Sequence, residues 1–203
     1  LNKKIPFSEL HAIDHPANLY GTSKFGNEQI AAAYHNIHGL KSVGLRFFTV
    51  YGPWGRPDMA VSLFTNKIEN GETITLFNGG EMWRDFTFVD DIVQGIELSM
   101  EYCSDNAAVF NLGNSKPVKL GYFLEQIEKR LGVKAKFKYQ ASNAEIKETY
   151  ADVSKAHELL GYQPTTSIES GLDQFMAWYK KLDKRTRDEW AGGRVQAGRG
   201  RRR

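Results

Sequence analysis

The run SVGLRFFTV, Ser42–Val50, gives the first indication of the fold of this chain. It is a continuous apolar run bounded by turn residues, which is typical of a strand buried on both faces of a parallel sheet under helices. The residues before it predict a helix from about Asn18 to His38, with Asn18 as its N-cap and Gly39 as its C-cap. A helix that leads into a buried strand is typical of α/β proteins.

Strands and helices continue to alternate along the rest of the chain. The pattern predicts strands at 73–77, 84–89, 108–113 and 134–139 and helices at about 60–70, 90–103, 119–131, 154–160 and 167–181. We expect Asp90 to cap the helix that follows the strand RDFTFV, and Gly132 to end the helix at 119–131. Alternation at these lengths predicts an α/β fold.

Composition excludes several classes of protein. The chain has 203 residues, of which 41% are hydrophobic and 25% are charged, and this balance excludes collagen-like, disordered and disulfide-scaffold proteins. No stretch approaches the roughly 18 apolar residues that a membrane span needs. The single cysteine, Cys103, cannot form an internal disulfide, and the five histidines lack the spacing of a metal site or a triad. We therefore expect no metal.

The positive net charge comes from the C-terminal end. Residues 180–203 contain ten Lys and Arg against three Asp and Glu, so the remaining 179 residues are net negative. Residues 183–203 are rich in Arg and Gly and poor in apolar residues, and we expect a disordered tail there. A cloning or read-through artefact is the favoured explanation, then a solvated tail, and an arm that binds nucleic acid comes last. The body of the chain gives no sign of nucleic-acid binding.

The segment YGTSK, Tyr20–Lys24, carries the clearest chemical signal. Residues four apart on a helix lie on one face, so the lysine ammonium is expected beside the phenol. A cation there stabilises the phenolate, which can exchange a proton with a sugar hydroxyl. By spacing alone, an ordinary helix is the commoner explanation of such a pair.

Three further motifs favour a catalytic role for the Tyr-Lys pair over an ordinary helix, because they follow the pair in a fixed order. They are LRFF at Leu45–Phe48, YGP at Tyr51–Pro53 and RDFTFVDD at Arg84–Asp91. In this combination the chain resembles the extended short-chain dehydrogenase/reductase family, the NAD-dependent nucleotide-sugar epimerases and dehydratases, over about residues 5–180. Asp90 and Asp91 are adjacent on a helix and do not face each other, which favours capping and hydrogen bonding over metal binding.

The resemblance implies a fold and a division of the chain. It implies the C-terminal part of a Rossmann-type parallel-sheet domain plus a smaller α/β substrate-binding domain. Residues 1–60 would be the remainder of the NAD-binding domain, and residues 61–182 would mainly form the sugar-nucleotide domain, with some segments returning to the Rossmann sheet.

The resemblance also implies roles for individual residues. Tyr20 and Lys24 would be catalytic and would contact NAD, and the main chain of Phe47 would meet the nicotinamide carboxamide. Five residues would bind the substrate, namely Thr49, Arg56, Thr75, Phe77 and Arg84. Thr49 would contact a substrate carboxylate, Thr75 and Phe77 would lie along uracil, and Arg84 would clamp the pyrophosphate. Phe77 as a core residue is an equally good explanation, and Thr49 as a plain strand-end residue is the less favoured one.

RFFTVYGPWGRPDMA, Arg46–Ala60, looks most like the UDP-glucuronate 4-epimerases. The expected reaction is epimerisation at C4 of UDP-glucuronate through a 4-keto intermediate. Hexose 4-epimerisation, 4,6-dehydration or uronate decarboxylation on the same scaffold remains the nearest alternative. A non-catalytic protein that kept the fold is the alternative of another class.

The nineteen glycines contain no Gly-rich dinucleotide turn, and the family's catalytic Ser or Thr before the tyrosine has no counterpart. We therefore expect the chain to be a piece of a longer protein that begins inside the dinucleotide-binding domain. Alone, it should expose apolar surface and an unpaired sheet edge, aggregate, and neither retain NAD nor turn over substrate. The resemblance further implies a homodimer in the complete protein, and a cytoplasmic location is favoured.

Overall fold

A computed structural model describes residues 4–13, 16, 18–102, 107–141 and 147–192. Its helices are α1 (Leu19–His38), α2 (Ala60–Glu69), α3 (Val89–Met100), α4 (Leu120–Leu131), α5 (Ser154–Leu160), α6 (Ile168–Tyr179) and α7 (Lys184–Gly192). Its strands are β1 (Val43–Phe47), β2 (Thr49–Tyr51), β3 (Thr73–Phe77), β4 (Trp83–Arg84), β5 (Phe86–Phe88), β6 (Ala108–Leu112), β7 (Val118–Lys119), β8 (Lys136–Gln140) and β9 (Glu148–Thr149). Cys103 lies outside the described residues.

The chain divides into two compact units. Unit 1 contains the described residues within Leu1–Thr49, Asp85–Pro117 and Glu148–Thr165, and unit 2 contains those within Val50–Arg84, Val118–Lys147 and Thr166–Arg203. The chain therefore passes between the units several times rather than once.

Unit 1 is built on a parallel pair of strands. β1 and β6 pair in parallel, with Val43 opposite Ala108 and Phe47 opposite Leu112. Helix α3 packs against β1 and β5, and α5 packs against β6. Phe110 and Leu112 of β6 are completely buried, so the core of this unit lies between β6 and its helices. The parallel pairing confirms the expected α/β class.

Helix α1 has the predicted ends. Asn18 is its N-cap and accepts a hydrogen bond from the amide of Gly21 at 2.8 Å, while Gly39 ends the helix with a φ of 66°. No residue of α1 is buried. Its apolar side chains Leu19 and Ile37 are 88% and 72% exposed, which agrees with the expected exposed apolar surface.

The apolar run at 42–50 differs from expectation. It forms two strands rather than one, because β1 ends at Phe47 and β2 starts at Thr49. No residue of β1 is buried and Phe47 is 49% exposed, so the expected burial on both faces is wrong for this strand. The chain changes its hydrogen-bond partner at this point, since the amide of Phe48 donates to Leu112 O and that of Thr49 donates to Asp85 O.

Unit 2 contains β3 paired in parallel with β8, and β4 paired antiparallel with β7. Helix α4 packs against α2 and α6, and α2 also contacts α7. Phe123 and Ile127 of α4 and Phe175 of α6 are completely buried and form the core of this unit. Helix α4 ends at Gly132, as predicted, with a φ of 69°.

Two expectations are corrected. Phe88, not Asp90, is the N-cap of α3; Asp90 lies in the first turn, where its negative charge complements the helix dipole. The expected disordered tail is wrong for Lys184–Gly192, which form α7. Asp183 accepts a hydrogen bond from the amide of Thr186 at 2.8 Å, and Arg187 is paired with Glu69 of α2, so the helix has both a cap and an anchor. Residues 193–203 lie outside the described residues.

Candidate active site

Tyr20 and Lys24 are brought together on α1. The ammonium nitrogen of Lys24 lies 5.3 Å from the centroid of the Tyr20 ring. Tyr20 is 71% exposed, so its phenol is open to a ligand. The charge lies over the ring, which is the geometry of a cation–π contact. The spacing in the sequence thus correctly predicted that the pair lies on one face.

A salt bridge joins this helix to β1. Arg46 donates from Nε and Nη2 to the two carboxylate oxygens of Glu28, both at 2.7 Å. The hydrogen bond to Glu28 raises the pKa of Arg46 above its ordinary value, against the lowering effect of burial. In the sequence, Arg46 belongs to the motifs LRFF and RFFTVYGPWGRPDMA, and no signal points to Glu28 as its partner.

The next two predicted residues lie where β1 ends and β2 begins. Phe47 is the last residue of β1 and is half-exposed. The carboxyl end of parallel strands is where nucleotide cofactors bind in open α/β sheets. Thr49 is partly buried, and its amide donates to Asp85 O at 3.1 Å. Exposed Tyr20, Lys24 and Phe47 therefore fit the part of a nicotinamide site that the resemblance assigns to them.

The other four predicted residues lie in unit 2. Thr75 and Phe77 are on the face of β3 opposite to the buried Ile74 and Leu76, and they pair with Lys138 and Gln140 of β8. Thr75 is exposed and Phe77 is partly buried, so this face is open enough for a ligand.

Arg56 is held by a neighbour in its own loop. Its Nε donates to Asp58 Oδ1 at 3.0 Å, and the two side chains are 62% and 52% exposed. Its Nη2 also donates to Asp58 Oδ2 at 2.5 Å, so the pair is bidentate while the guanidinium remains largely exposed to solvent.

Arg84 follows Trp83, whose ring lies beside two lysine ammonium groups. Its Nη1 donates to Trp83 O at 2.9 Å, and the ammonium groups of Lys119 and Lys147 lie 5.6 and 5.9 Å from the centroid of the Trp83 ring. Lys119 is also paired with Glu81 at 2.6 Å. The structure thus places two lysine ammonium groups over the ring of the residue that precedes Arg84. The two lysines were not predicted, because they are distant in sequence from Arg84.

Asp85 is a buried, fully hydrogen-bonded residue that the sequence analysis did not single out. It is 1% exposed, and its carboxylate accepts four hydrogen bonds from Thr87, Asn114, Ser115 and Ala151. The available signal was a charged residue inside the strand RDFTFV, since a carboxylate in such a run must be paired if it is buried. Asp91 is also buried and accepts a hydrogen bond from the amide of Thr165 at 3.0 Å, which confirms its structural role.

The described residues contain neither a metal-binding cluster nor a membrane-spanning helix. Within the described ranges, no group of three or more His, Cys, Asp or Glu side chains is placed to hold a metal ion. In the same residues, no helix has the length and apolar character to cross a membrane.

The chain is similar to several known proteins. A protein of Methanocaldococcus jannaschii described as uncharacterized is 50% identical over 179 residues, covering 88% of this chain and 55% of that protein. UDP-glucuronate 4-epimerase 1 of Arabidopsis thaliana is 43% identical over 196 residues, covering 88% and 46%. The chain thus spans about half the length of the curated relatives it matches.

Solved structures and family models agree with these relatives. The structure of UDP-glucuronic acid 4-epimerase from Bacillus cereus in complex with UDP-glucuronic acid and NAD superposes with a TM-score of 0.74 at 34% identity, covering 81% of this chain and 53% of that one. This likeness confirms the Rossmann-type α/β fold. The model of the NAD dependent epimerase/dehydratase family matches residues 2–113. Because that match extends over more than half of the chain, the chain belongs to the NAD-dependent epimerase/dehydratase family.

Proposed function

We propose that these residues are the catalytic-helix and nucleotide-sugar-binding part of an NAD-dependent UDP-glucuronate 4-epimerase. The observation that carries the proposal is the contact of Lys24 with the exposed ring of Tyr20. Similarity to the Arabidopsis thaliana UDP-glucuronate 4-epimerase over 88% of the chain supports the choice of substrate.

Each predicted residue has a role in this proposal. Tyr20, as phenolate, accepts the proton of the C4 hydroxyl to become a neutral phenol and later returns it, so the phenolate is restored after a full cycle. Lys24 stabilises the phenolate form and hydrogen-bonds to the ribose of the cofactor. Bound NAD would supply the hydride acceptor and donor for C4, and Tyr20, Lys24 and Phe47 would hold its nicotinamide end. Phe47 contacts the carboxamide through its main chain.

The substrate-binding roles follow the chemistry of a nucleotide uronate. Thr49 donates a hydrogen bond from its hydroxyl to the sugar carboxylate. Arg84 binds the pyrophosphate, since a guanidinium meets phosphate oxygens in pairs. Arg56 faces the nucleotide sugar. We further propose that the complete protein is a homodimer.

Thr75 and Phe77 bind the uracil ring in this proposal. Their shared face on β3 is the one that the buried Ile74 and Leu76 do not use, so a flat base can lie along it.

The test is Tyr20→Phe in the product of the complete reading frame that encodes this chain. The variant should lose about 10²–10⁴-fold in turnover of UDP-glucuronate while it keeps its fold, because only the proton-transferring oxygen is removed. Tyr34→Phe on the same helix is the matched control and should keep normal turnover. Wild-type rates in Tyr20→Phe would defeat the assignment. Product analysis with UDP-glucuronate, UDP-glucose and dTDP-glucose distinguishes 4-epimerisation of a uronate from the related reactions.

A further inference from the structure

Every lone-pair direction of the buried Asp85 carboxylate is used. Its Oδ1 accepts from Thr87 Oγ1 at 3.0 Å and from the amide of Asn114 at 2.7 Å. Its Oδ2 accepts from the amides of Ser115 at 3.0 Å and Ala151 at 2.9 Å. Four donors at these distances hold an ionised carboxylate in the protein interior, where an unpaired charge would be very costly.

The main chain of Asp85 is bound as firmly as its side chain. Its amide donates to Thr149 O at 3.0 Å, and its carbonyl accepts from the amide of Thr49 at 3.1 Å. Asp85 directly follows Arg84 in the chain. One residue therefore fixes the backbone next to both proposed binding groups, Thr49 for the sugar carboxylate and Arg84 for the pyrophosphate.

The hydrogen-bond partners of Asp85 lie near the ends of the chain segments that form unit 1. Unit 1 segments end or begin at Thr49, Asp85, Pro117 and Glu148. The partners of Asp85 lie at these ends or within three residues of them, since Ser115 precedes Pro117 and Ala151 follows Glu148. Asp85 thus forms hydrogen bonds to residues near the ends of the three unit 1 segments, which are far apart in sequence.

The surroundings leave Asp85 no freedom to shift. A Cβ at Gly113 would lie 2.7 Å from Asp85 Oδ2 and 2.6 Å from the Cβ of Ala151. Ser115 adopts a left-handed φ of 58°, and its hydroxyl donates to Ala151 O at 2.8 Å. A non-glycine residue keeps such a conformation only where its neighbours enforce it.

From this arrangement we infer that Asp85 is a positioning residue for substrate binding, which acts by fixing the main chain at Thr49 and Arg84. The inference rests on the proposed function, because it uses the binding roles of those two residues. It predicts a specific kinetic signature. Loss of the carboxylate should weaken binding of the nucleotide sugar and raise KM, while kcat should change little, because Tyr20 and Lys24 lie on α1 and not among the partners of Asp85.

Asp85→Asn in the product of the complete reading frame is the test. The amide keeps the volume of the side chain but has one acceptor oxygen, and its NH2 group faces two donors. We expect KM for UDP-glucuronate to rise about tenfold and kcat to stay within about threefold of wild type. Asp91→Asn is the matched control, because Asp91 is also a buried carboxylate that accepts a main-chain amide. It should lower Tm and leave KM unchanged.

The affinity for UDP, measured by calorimetry, separates this inference from the proposed function. If the wild type does not turn over UDP-glucuronate, the proposed function fails, while a tenfold loss of UDP affinity in Asp85→Asn alone still supports the role of Asp85. If Asp85→Asn does not fold, Thr87→Val removes one of the four hydrogen bonds and should raise KM about two- to threefold. An unchanged KM and UDP affinity, or the same change in Asp91→Asn, would overturn the inference.

Discussion

Arg46 of β1 binds Glu28 of α1 through two parallel hydrogen bonds of 2.7 Å. This salt bridge links the helix that carries Tyr20 and Lys24 to the strand that ends in Phe47. Its side chains are only 26% and 19% exposed, so the charges are partly shielded from water. A bidentate pair at this burial orients the helix as well as stabilising it.

Breaking this pair should destabilise the protein. We expect Glu28→Gln to lower the free energy of unfolding by about 1–2 kcal/mol, because it removes the charge from two charge-assisted hydrogen bonds. Urea denaturation measures the change. Asp58→Asn is the control, since it breaks the far more exposed pair with Arg56 and should cost less than about 0.5 kcal/mol. Equal losses in the two variants would contradict this prediction.

Gly113 should not tolerate a methyl group. The Cβ of Gly113→Ala would contact Asp85 Oδ2 and the Cβ of Ala151 below 3 Å, and neither is the end of a flexible chain. We expect a loss of about 2–3 kcal/mol in the free energy of unfolding.

Gly121 provides the comparison. It lies in α4 with open space at its Cβ position, so Gly121→Ala should stabilise the protein by up to about 1 kcal/mol. Denaturation curves for both variants should shift in opposite directions, and a neutral Gly113→Ala would disprove the tight contact with Asp85.

Asp152 should make stability depend on pH in the acidic range. Hydrogen bonds from the side chain and amide of Ser154 lower the pKa of Asp152 below its ordinary value. A carboxyl group with a lowered folded-state pKa stabilises the fold above its unfolded pKa of about 4, and this contribution disappears as the pH falls through the folded pKa.

The measurement compares Asp152→Asn with wild type. Thermal unfolding at pH 6 and at about pH 3 should show a smaller loss of Tm in the variant, because asparagine does not titrate. The amide can still accept from Ser154, so the two proteins should differ little at low pH. An identical pH dependence would show that Asp152 contributes nothing to it.

Helix α7 should depend on Glu69. This carboxylate accepts from Tyr179 Oη at 2.8 Å and from Arg187 Nη1, while the Arg187 guanidinium lies 5.0 Å from the centroid of the Tyr179 ring. Burial, with the neighbouring Glu69, raises the pKa of Tyr179, so its hydroxyl remains a donor. Glu69→Gln removes the charge that pairs with Arg187 and should loosen α7.

Limited proteolysis with trypsin measures this loosening. Cleavage after Lys184 and Arg185 should become about three- to tenfold faster in Glu69→Gln, because cleavage requires local opening of the helix. Glu72→Gln, an exposed change just after α2, should leave the cleavage rate as in wild type. A rate that Glu69→Gln does not alter would show that Arg187 is not the anchor.

Local patterns determined much of this fold. Asn18 and Gly39 marked the ends of α1, Gly132 marked the end of α4, and the four-residue spacing placed Lys24 beside Tyr20. Capping, left-handed turns and helical periodicity depend on residues close together in the chain, so their signals can be read without the rest of the protein.

Only the tertiary structure showed what joins distant segments. Nothing local links Glu28 to Arg46 or Arg187 to Glu69, and the polar composition of the α7 region predicts a disordered tail where the structure has a helix. The same holds for Asp85, because its four hydrogen-bond donors come from three separate segments that meet only when unit 1 folds. Long-range pairing depends on packing and the exclusion of water, and these arise only in the folded chain.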